Sequence, residues 1–175
     1  MNLEKTTTVY QGEFKISSDP NECLTTILGS CVATCLYDED AQVGGVNHFL
    51  LPTGPSGEGS NLKYGLHSME LLINALLKSG ARKSQIKAKV FGGSRMLDEL
   101  SNIGGKNVEF AFEFLKDEKI PCVSESTLGN QARRIKFWAT TGRVQQLLVA
   151  RTELPKVAPV PKPEPASPQS DIILF

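Results

Sequence analysis

Residues 24–52 limit the possible folds more than any other part of the sequence. They hold two apolar segments rich in β-branched residues, with a short acidic turn at residues 38–40 between them. This pattern predicts two strands paired as a hairpin. Such a hairpin brings Cys31, near the start of the first segment, next to His48, near the end of the second. A thiol and an imidazole side by side are the groups that a cysteine nucleophile and its base require.

Periodicity in the rest of the sequence predicts further strands and helices. The strands are expected at residues 9–16, 86–91, 120–124, 134–139 and 144–149. The helices are expected at residues 66–77 and 107–116, with a short helix at 96–100 and a Gly- and Pro-rich surface loop at 53–60. Because few helices are available as crossovers, we predict an α/β protein with a mixed, largely antiparallel sheet flanked by two or three helices.

The composition fits one domain with a sizeable core, since 40% of the 175 residues are hydrophobic. Nineteen basic residues balance 19 acidic ones, so the net charge gives no attraction to nucleic acid or to an anionic membrane. No segment approaches the roughly 20 apolar residues of a membrane span, and the first residues lack the pattern of a signal peptide. We therefore predict a cytoplasmic protein with no nucleic-acid partner, no membrane insertion and reduced cysteines.

The carboxyl-terminal region differs in composition from the rest. Six of the ten prolines fall between residues 155 and 168, which predicts an extended, disordered segment. We therefore divide the chain into a domain at residues 1–153, a Pro-rich linker at 154–170 and an apolar peptide at 171–175. Two interpretations of the peptide stay open: it docks on a partner, or it folds back onto its own domain.

Cys31 follows Gly29 and Ser30, so its thiol is expected just after a tight turn whose backbone N–H groups face a reacting carbonyl. Such groups lower a thiol pKa and stabilise an oxyanion. The residues alone leave two simpler alternatives open, a cysteine that fills the core and a histidine held by hydrogen bonds within a strand. The cysteines and histidines show no Cys-x-x-Cys or paired-histidine spacing, so we predict no metal site.

Two segments resemble a known family. Residues 28–33 read Leu-Gly-Ser-Cys-Val-Ala, and residues 44–52 read Gly-Gly-Val-Asn-His-Phe-Leu-Leu-Pro. They resemble the two signature segments of the CheD chemoreceptor glutamine deamidases, with the same interval from cysteine to histidine. Further blocks match in order: residues 63–65 with 69–71, 89–93 with 96, 103–104 with 107, and 129–130 with 133. Several ordered blocks over about residues 9–150 are far more specific than a single motif.

The resemblance implies an α/β sandwich fold and a catalytic set of cysteine, histidine and threonine, which fall on Cys31, His48 and Thr25. Thr26 is an adjacent hydroxyl residue, so the choice of Thr25 rests on the family's spacing alone. The backbone of Gly29 and Ser30 is expected to support the oxyanion, and no cofactor or metal is implied. Candidates for the substrate-binding loops follow: Gly92, Gly93 and Asn47.

One segment departs from the family pattern. Residues 126–130 place Leu128 where relatives commonly have one of two paired glycines, so we expect a change in the geometry of this loop. The proposed catalytic residues lie outside this segment.

The implied function is hydrolysis of glutamine side chains on methyl-accepting chemotaxis receptors, through a thioester on Cys31. The alternative is a non-catalytic adaptor that binds chemoreceptors and a CheC-type phosphatase. Residues 170–175 also resemble tails that bind the chemotaxis response regulator, which makes this regulator a further expected partner.

Overall fold

The computed structural model describes residues 4–52, 58–96 and 102–149, which form two β-sheets and two α-helices. The strands are β1 (Lys5–Thr8), β2 (Phe14–Ser17), β3 (Glu22–Leu28), β4 (Val32–Asp38), β5 (Val43–Phe49), β6 (Lys87–Gly92), β7 (Cys122–Thr127), β8 (Ala132–Trp138) and β9 (Arg143–Val149). The helices are α1 (Glu58–Lys78) and α2 (Ile103–Asp117), with a short 3-10 turn at Lys83–Gln85.

Both sheets are mixed and mostly antiparallel. The four-stranded sheet has the order β1-β3-β8-β9, and the five-stranded sheet has the order β2-β5-β4-β6-β7. Only β1 with β3 and β6 with β7 pair in parallel among the described strands. The predicted β-rich α/β class is therefore confirmed, with two sheets in place of the expected single one.

Two apolar layers hold these elements together. One lies between the sheets, and its members include Leu24, Leu28, Ala33, Cys35, Tyr37, Val46, Phe91, Ile135 and Phe137. The other lies between the five-stranded sheet and the helices, and its members include Val32, Leu36, Phe49, Met69, Leu72, Leu76, Val108 and Phe114. Strand β4 contributes alternate residues to both layers. It is buried on both faces, which explains why its sequence is almost continuously apolar.

The helices, the hairpin of β4 with β5 and the hairpin of β8 with β9 lie where periodicity predicts them. The strands predicted at residues 86–91 and 120–124 are also found, as β6 and β7. The loop predicted at residues 53–60 is too long, because α1 already begins at Glu58. Residues 97–100 of the predicted short helix lie outside the described residues, as do the linker at 154–170 and the peptide at 171–175.

Two predicted segments are each interrupted by a turn. The prediction of one strand at residues 9–16 is wrong, because the chain turns at residues 10–13 between β1 and β2. The first apolar segment of the predicted hairpin is likewise two strands, β3 and β4, with a break at residues 29–31. Both breaks carry the chain from the four-stranded to the five-stranded sheet, so residues from both sheets meet near Cys31.

No helix in the described part of the chain is long and apolar enough to cross a membrane.

Candidate active site

The turn that carries Cys31 is held by its carbonyl groups. The carbonyl oxygens of residues 29–31 accept hydrogen bonds, in chain order, from Ser94 N (2.9 Å), Asn107 Nδ2 (2.9 Å) and Gly93 N (2.8 Å). These bonds fix all three peptide planes of the turn. A peptide N–H points away from the carbonyl of its own plane, so the N–H groups of Ser30 and Cys31 point away from Ser94 and Asn107.

Gly92 lies against the back of this turn. Its φ of +109° is one that side-chain-bearing residues rarely adopt, and an added Cβ would lie 2.2 Å from the carbonyl oxygen of Cys31. Gly93 follows with a φ of +71° and donates the bond to Cys31 described above. The two glycines, which were predicted to form a substrate loop, contact the backbone of the nucleophile turn.

The Cys31 thiol is half-buried and packs at the edge of the apolar layer between the sheets. Burial raises the pKa of the Cys31 thiol to about 11, although its own backbone N–H acts in the opposite direction. The thiol donates a hydrogen bond to Gln11 Oε1, 3.3 Å away. The free protein therefore carries a neutral thiol at neutral pH, and the nucleophile needs a base to become a thiolate.

His48 lies on β5 and faces the same layer as Cys31. Its partner in the strand register is Ala33, and Cys31 lies two residues before Ala33. Cys31 belongs to the turn just before β4, and its thiol packs at the edge of the layer between the sheets that His48 faces. The imidazole is 6% exposed, and burial lowers the pKa of His48, with the Val9 backbone opposing the shift.

The hydroxyl of Thr26 fixes the tautomer of His48. Thr26 Oγ1 lies 2.7 Å from the carbonyl oxygen of Val9 and 2.8 Å from His48 Nδ1. A carbonyl oxygen only accepts, so the single hydroxyl proton goes to Val9 and the bond to the imidazole must be donated by Nδ1–H. The other ring nitrogen, Nε2, then carries a lone pair. It is buried and has no hydrogen-bond partner among the described residues, as a general base waiting for a proton requires.

Thr25 does not contact His48, although the resemblance assigns it that role. Its hydroxyl donates to the carbonyl oxygen of Ile135 on β8, 2.8 Å away. Successive residues of a strand point to opposite faces, so only one of Thr25 and Thr26 can face the layer that contains His48. The geometry assigns the contact with the imidazole to Thr26.

Asn47 precedes His48 on β5 and therefore points to the opposite face of the sheet, away from the layer that Cys31 contacts. Its side chain is fully buried on the helix side of β5, where Oδ1 accepts from Thr34 N (2.9 Å) and Nδ2 donates to Ser68 Oγ (3.3 Å). The structure thus brings together Cys31, His48 and the turn that begins at Gly29, and it leaves Asn47 in the core.

Gln11 belongs to the site and was not predicted from the sequence. It lies in a β-turn in which Glu13 N donates to Tyr10 O (3.0 Å), and Gly12 follows it with a φ of +86°. Gly12 N donates to the carbonyl oxygen of His48 (2.7 Å), which holds this turn over the site. The only signal in the sequence is Gly12 itself, which interrupts the alternating pattern of residues 9–16.

Leu128 keeps the backbone of a glycine. Its φ of +63° lies in the left-handed region, which costs a residue with a side chain about 1–2 kcal/mol. Leu128 N donates to Gly92 O (2.9 Å), and the Leu128 carbonyl accepts from the buried Arg133. These bonds hold the loop with Leu128 in a backbone conformation that glycine favours.

No group of three or more His, Cys, Asp or Glu residues that could hold a metal ion is found among residues 4–52, 58–96 and 102–149.

Comparison with known proteins identifies the family. The family model described as CheD chemotactic sensory transduction matches residues 50–147. A Caulobacter vibrioides protein named "Probable chemoreceptor glutamine deamidase CheD" is 49% identical over 171 residues, which cover 95% of this chain and 91% of that protein. An Agrobacterium fabrum protein of the same name is 50% identical over 173 residues, covering 95% and 94%. Because so little of the chain is left uncovered, both matches include Cys31 and His48.

Among solved structures, a Neisseria meningitidis protein of the family DUF152 gives a TM-score of 0.45 at 10% identity, covering 71% of this chain and 64% of its own. The sequence matches extend over nearly the whole chain at about half identity. The protein therefore belongs to the CheD family.

Proposed function

We propose that this protein is a glutamine deamidase that converts glutamine side chains of methyl-accepting chemotaxis receptors to glutamate and ammonia. The observation that carries the proposal is the layer between the sheets, where the Cys31 thiol packs at the edge and Thr26 fixes the tautomer of the buried His48 imidazole. The names of the Caulobacter and Agrobacterium relatives state the same activity for those proteins.

The reaction begins when His48 Nε2 removes the proton from the Cys31 thiol. The sulfur attacks the carbon of the substrate carboxamide, and an S–C bond forms as the carbonyl π bond opens to an oxyanion. The imidazolium that results keeps its Nδ1–H on Thr26 Oγ1, which stabilises the positive charge at a buried site.

The oxyanion then needs donors, and the amides of the nucleophile turn are placed to supply them. The backbone N–H of Cys31 points away from the Ser30 carbonyl of the same peptide unit, which Asn107 holds, and it is our candidate donor. When the oxyanion collapses, the C–N bond breaks and His48 gives its proton to the departing ammonia. Water, activated by the same imidazole, hydrolyses the thioester to a carboxylic acid and restores the thiol. Every proton in this sequence is carried by residues of the chain and by water.

The contact of Cys31 with Gln11 supports a carboxamide as the substrate group. A glutamine side chain already reaches the thiol, with its oxygen 3.3 Å from the sulfur. In a productive complex the substrate carbonyl oxygen would face the backbone donors. The Gln11 oxygen instead accepts the thiol proton, so its position is not productive. A substrate glutamine must replace Gln11 and enter with its carbon toward the sulfur.

The proposed substrate lies on the helical cytoplasmic part of the receptor, so we place the protein in the cytoplasm. Each conversion replaces a neutral amide with a negative charge or with a glutamate that can be methylated. Such a local change of charge shifts the balance between two signalling states of the receptor.

The second candidate is an adaptor that binds the receptor and a CheC-type phosphatase without turnover. It is favoured by one observation, the resting thiol that is neutral and covered by Gln11. The response regulator of chemotaxis is a further proposed partner, which would bind the apolar peptide at residues 171–175. Deleting the residues after Pro155 should weaken that binding, and unchanged affinity would remove this partner.

The test is to incubate the protein with a receptor cytoplasmic fragment and to follow ammonia release and the conversion of glutamine to glutamate by mass spectrometry. Product at specific glutamines supports the deamidase. Receptor binding without product, by wild type and by Cys31→Ala alike, supports the adaptor.

A further inference from the structure

Asn107 connects two parts of the site from a position far along the chain. It lies in the first half of α2, and its side chain is fully buried. Its Nδ2 donates to the carbonyl oxygen of Ser30 (2.9 Å), and its Oδ1 accepts from the backbone N–H of Leu51 (2.9 Å). One amide group thus ties the turn before Cys31 to the chain that follows β5, which carries His48.

The bond to Ser30 acts directly on the peptide that the reaction would use. The carbonyl of Ser30 and the N–H of Cys31 belong to the same planar peptide unit, and they point in opposite directions. A donor on the carbonyl oxygen fixes the direction of that N–H and polarises it, because hydrogen bonds in a chain strengthen one another. The Cys31 N–H belongs to the nucleophile itself and lies opposite the carbonyl that Asn107 holds, so it is the candidate backbone donor for the forming oxyanion.

We propose that Asn107 is a positioning residue for the oxyanion site, which it aims and polarises through the peptide unit between Ser30 and Cys31. The proposal rests on the deamidase function proposed above. Asn107 does not touch the substrate, and its effect is exerted on the transition state through the backbone.

The chemistry of the residue fits this role. The Ser30 carbonyl needs a donor and the Leu51 amide needs an acceptor, and a side-chain amide supplies both from one planar group. The carbonyls of residues 29 and 31 are held by backbone amides of Ser94 and Gly93. Asn107 is therefore the one described side chain whose replacement removes a bond to a carbonyl of the turn.

The decisive variant is Asn107→Asp. It keeps the side-chain shape and the acceptor for Leu51, and in its ionised form it has no proton to donate to Ser30. Loss of a whole oxyanion donor lowers kcat about 10²- to 10³-fold in other enzymes. In the variant the Cys31 N–H is still present but no longer held in its direction. We expect kcat for receptor deamidation to fall at least about tenfold, with a smaller change in KM. Asn107→Leu has a similar shape and no charge, and it separates the lost bond from the effect of a new carboxylate.

Alkylation of Cys31 by iodoacetamide is the control reaction. It needs the thiolate but forms no oxyanion, since the sulfur displaces iodide from a saturated carbon. We expect the alkylation rate of Asn107→Leu to stay within about threefold of wild type while kcat falls. If Asn107 only stabilised the fold, its replacement would displace the thiol and lower the alkylation rate and kcat together.

A matched variant controls for the loss of a buried hydrogen bond. Asp38 is equally buried, at the far end of β4 from Cys31, and accepts from the backbone amides of Asp40, Ala41 and Arg82. Asp38→Asn replaces a carboxylate oxygen with an NH₂ group, the reverse of the exchange in Asn107→Asp. It should lower the thermal unfolding temperature without lowering kcat.

The proposal is overturned if kcat of Asn107→Asp and Asn107→Leu equals that of wild type, if alkylation falls in proportion to kcat in both, or if Asp38→Asn lowers kcat equally. Wild-type protein that yields no glutamate would instead refute the deamidase function itself. The two failures are therefore distinguishable.

Discussion

Replacing Thr26 by valine should impair catalysis much more than replacing Thr25. The two residues are adjacent, but only Thr26 contacts His48, at 2.8 Å from Nδ1, while Thr25 donates to the backbone of Ile135. Thr26→Val keeps the shape of the side chain and removes the hydroxyl. The imidazole then loses the group that fixes its tautomer and that stabilises the imidazolium formed after proton transfer.

The magnitude follows from the charge on the ring. A hydrogen bond to a charged group contributes about 1.5–3 kcal/mol, against about 0.5–1.5 kcal/mol between neutral groups. If the full contribution is lost in the transition state, kcat falls about 10- to 150-fold, since 1.36 kcal/mol corresponds to tenfold. Thr26→Val also removes one hydrogen bond from the Val9 carbonyl and one from the Nδ1–H. Each lost bond costs about 0.5–1.5 kcal/mol of unfolding free energy.

The assay is kcat for deamidation of a receptor fragment at saturating concentration, with Thr26→Ser as the rescue. The serine variant keeps the hydroxyl and should recover most of the activity, whereas Thr25→Val should stay within about threefold of wild type. The assignment of the imidazole contact to Thr26 is refuted if Thr25→Val lowers kcat as much as Thr26→Val does.

Three further predictions concern the resting state of the site. Gln11→Ala removes the acceptor that covers the thiol, so iodoacetamide should alkylate Cys31 faster than in wild type; an equal or slower rate would show that Gln11 does not shield the sulfur. Burial lowers the pKa of His48 below its ordinary value of about 6.5, so kcat/KM should stay constant down to that pH and decline only below it. The unfolding free energy should also fall below about pH 6.5, because the unfolded chain then binds a proton at His48 that the folded, buried imidazole does not bind. His48→Gln should make this fall smaller. An acid limb of kcat/KM above pH 6.5 would contradict a buried neutral base.

Local patterns in the sequence were sufficient for much of the fold. Strand β5, the hairpin of β8 with β9 and the two helices all have periodic apolar residues and turn residues at their ends. These signals act within one element and its neighbour, so they can be found without knowledge of the remaining chain.

The change from one sheet to the other could not be predicted in the same way. The apolar pattern runs from β3 into β4 almost without interruption, because both strands are buried, and only Gly29 and Ser30 mark the break. Whether such a segment is one strand or two depends on which other strands pair with it. That depends on contacts with β8 and β5, which lie elsewhere in the sequence.

The site shows the same limit at the level of single residues. Cys31 and His48 lie on two adjacent segments, so the predicted hairpin was enough to place both at the same apolar layer. The choice between Thr25 and Thr26 depends on which face of β3 each occupies, and a shift of one residue reverses that choice. Asn107 reaches Ser30 across 77 residues of sequence. A block that matches the family contains this residue, but neither the block nor periodicity predicts its contact with Ser30.

The most direct test of the central claim compares wild type with Cys31→Ala on the same receptor fragment. The number of glutamines converted to glutamate is counted by mass spectrometry over time, and circular dichroism verifies that both proteins are folded. If Cys31 is the nucleophile, wild type accumulates glutamate at defined receptor positions and Cys31→Ala yields none above the level of receptor incubated alone. Equal amounts of glutamate from the two proteins would contradict the claim.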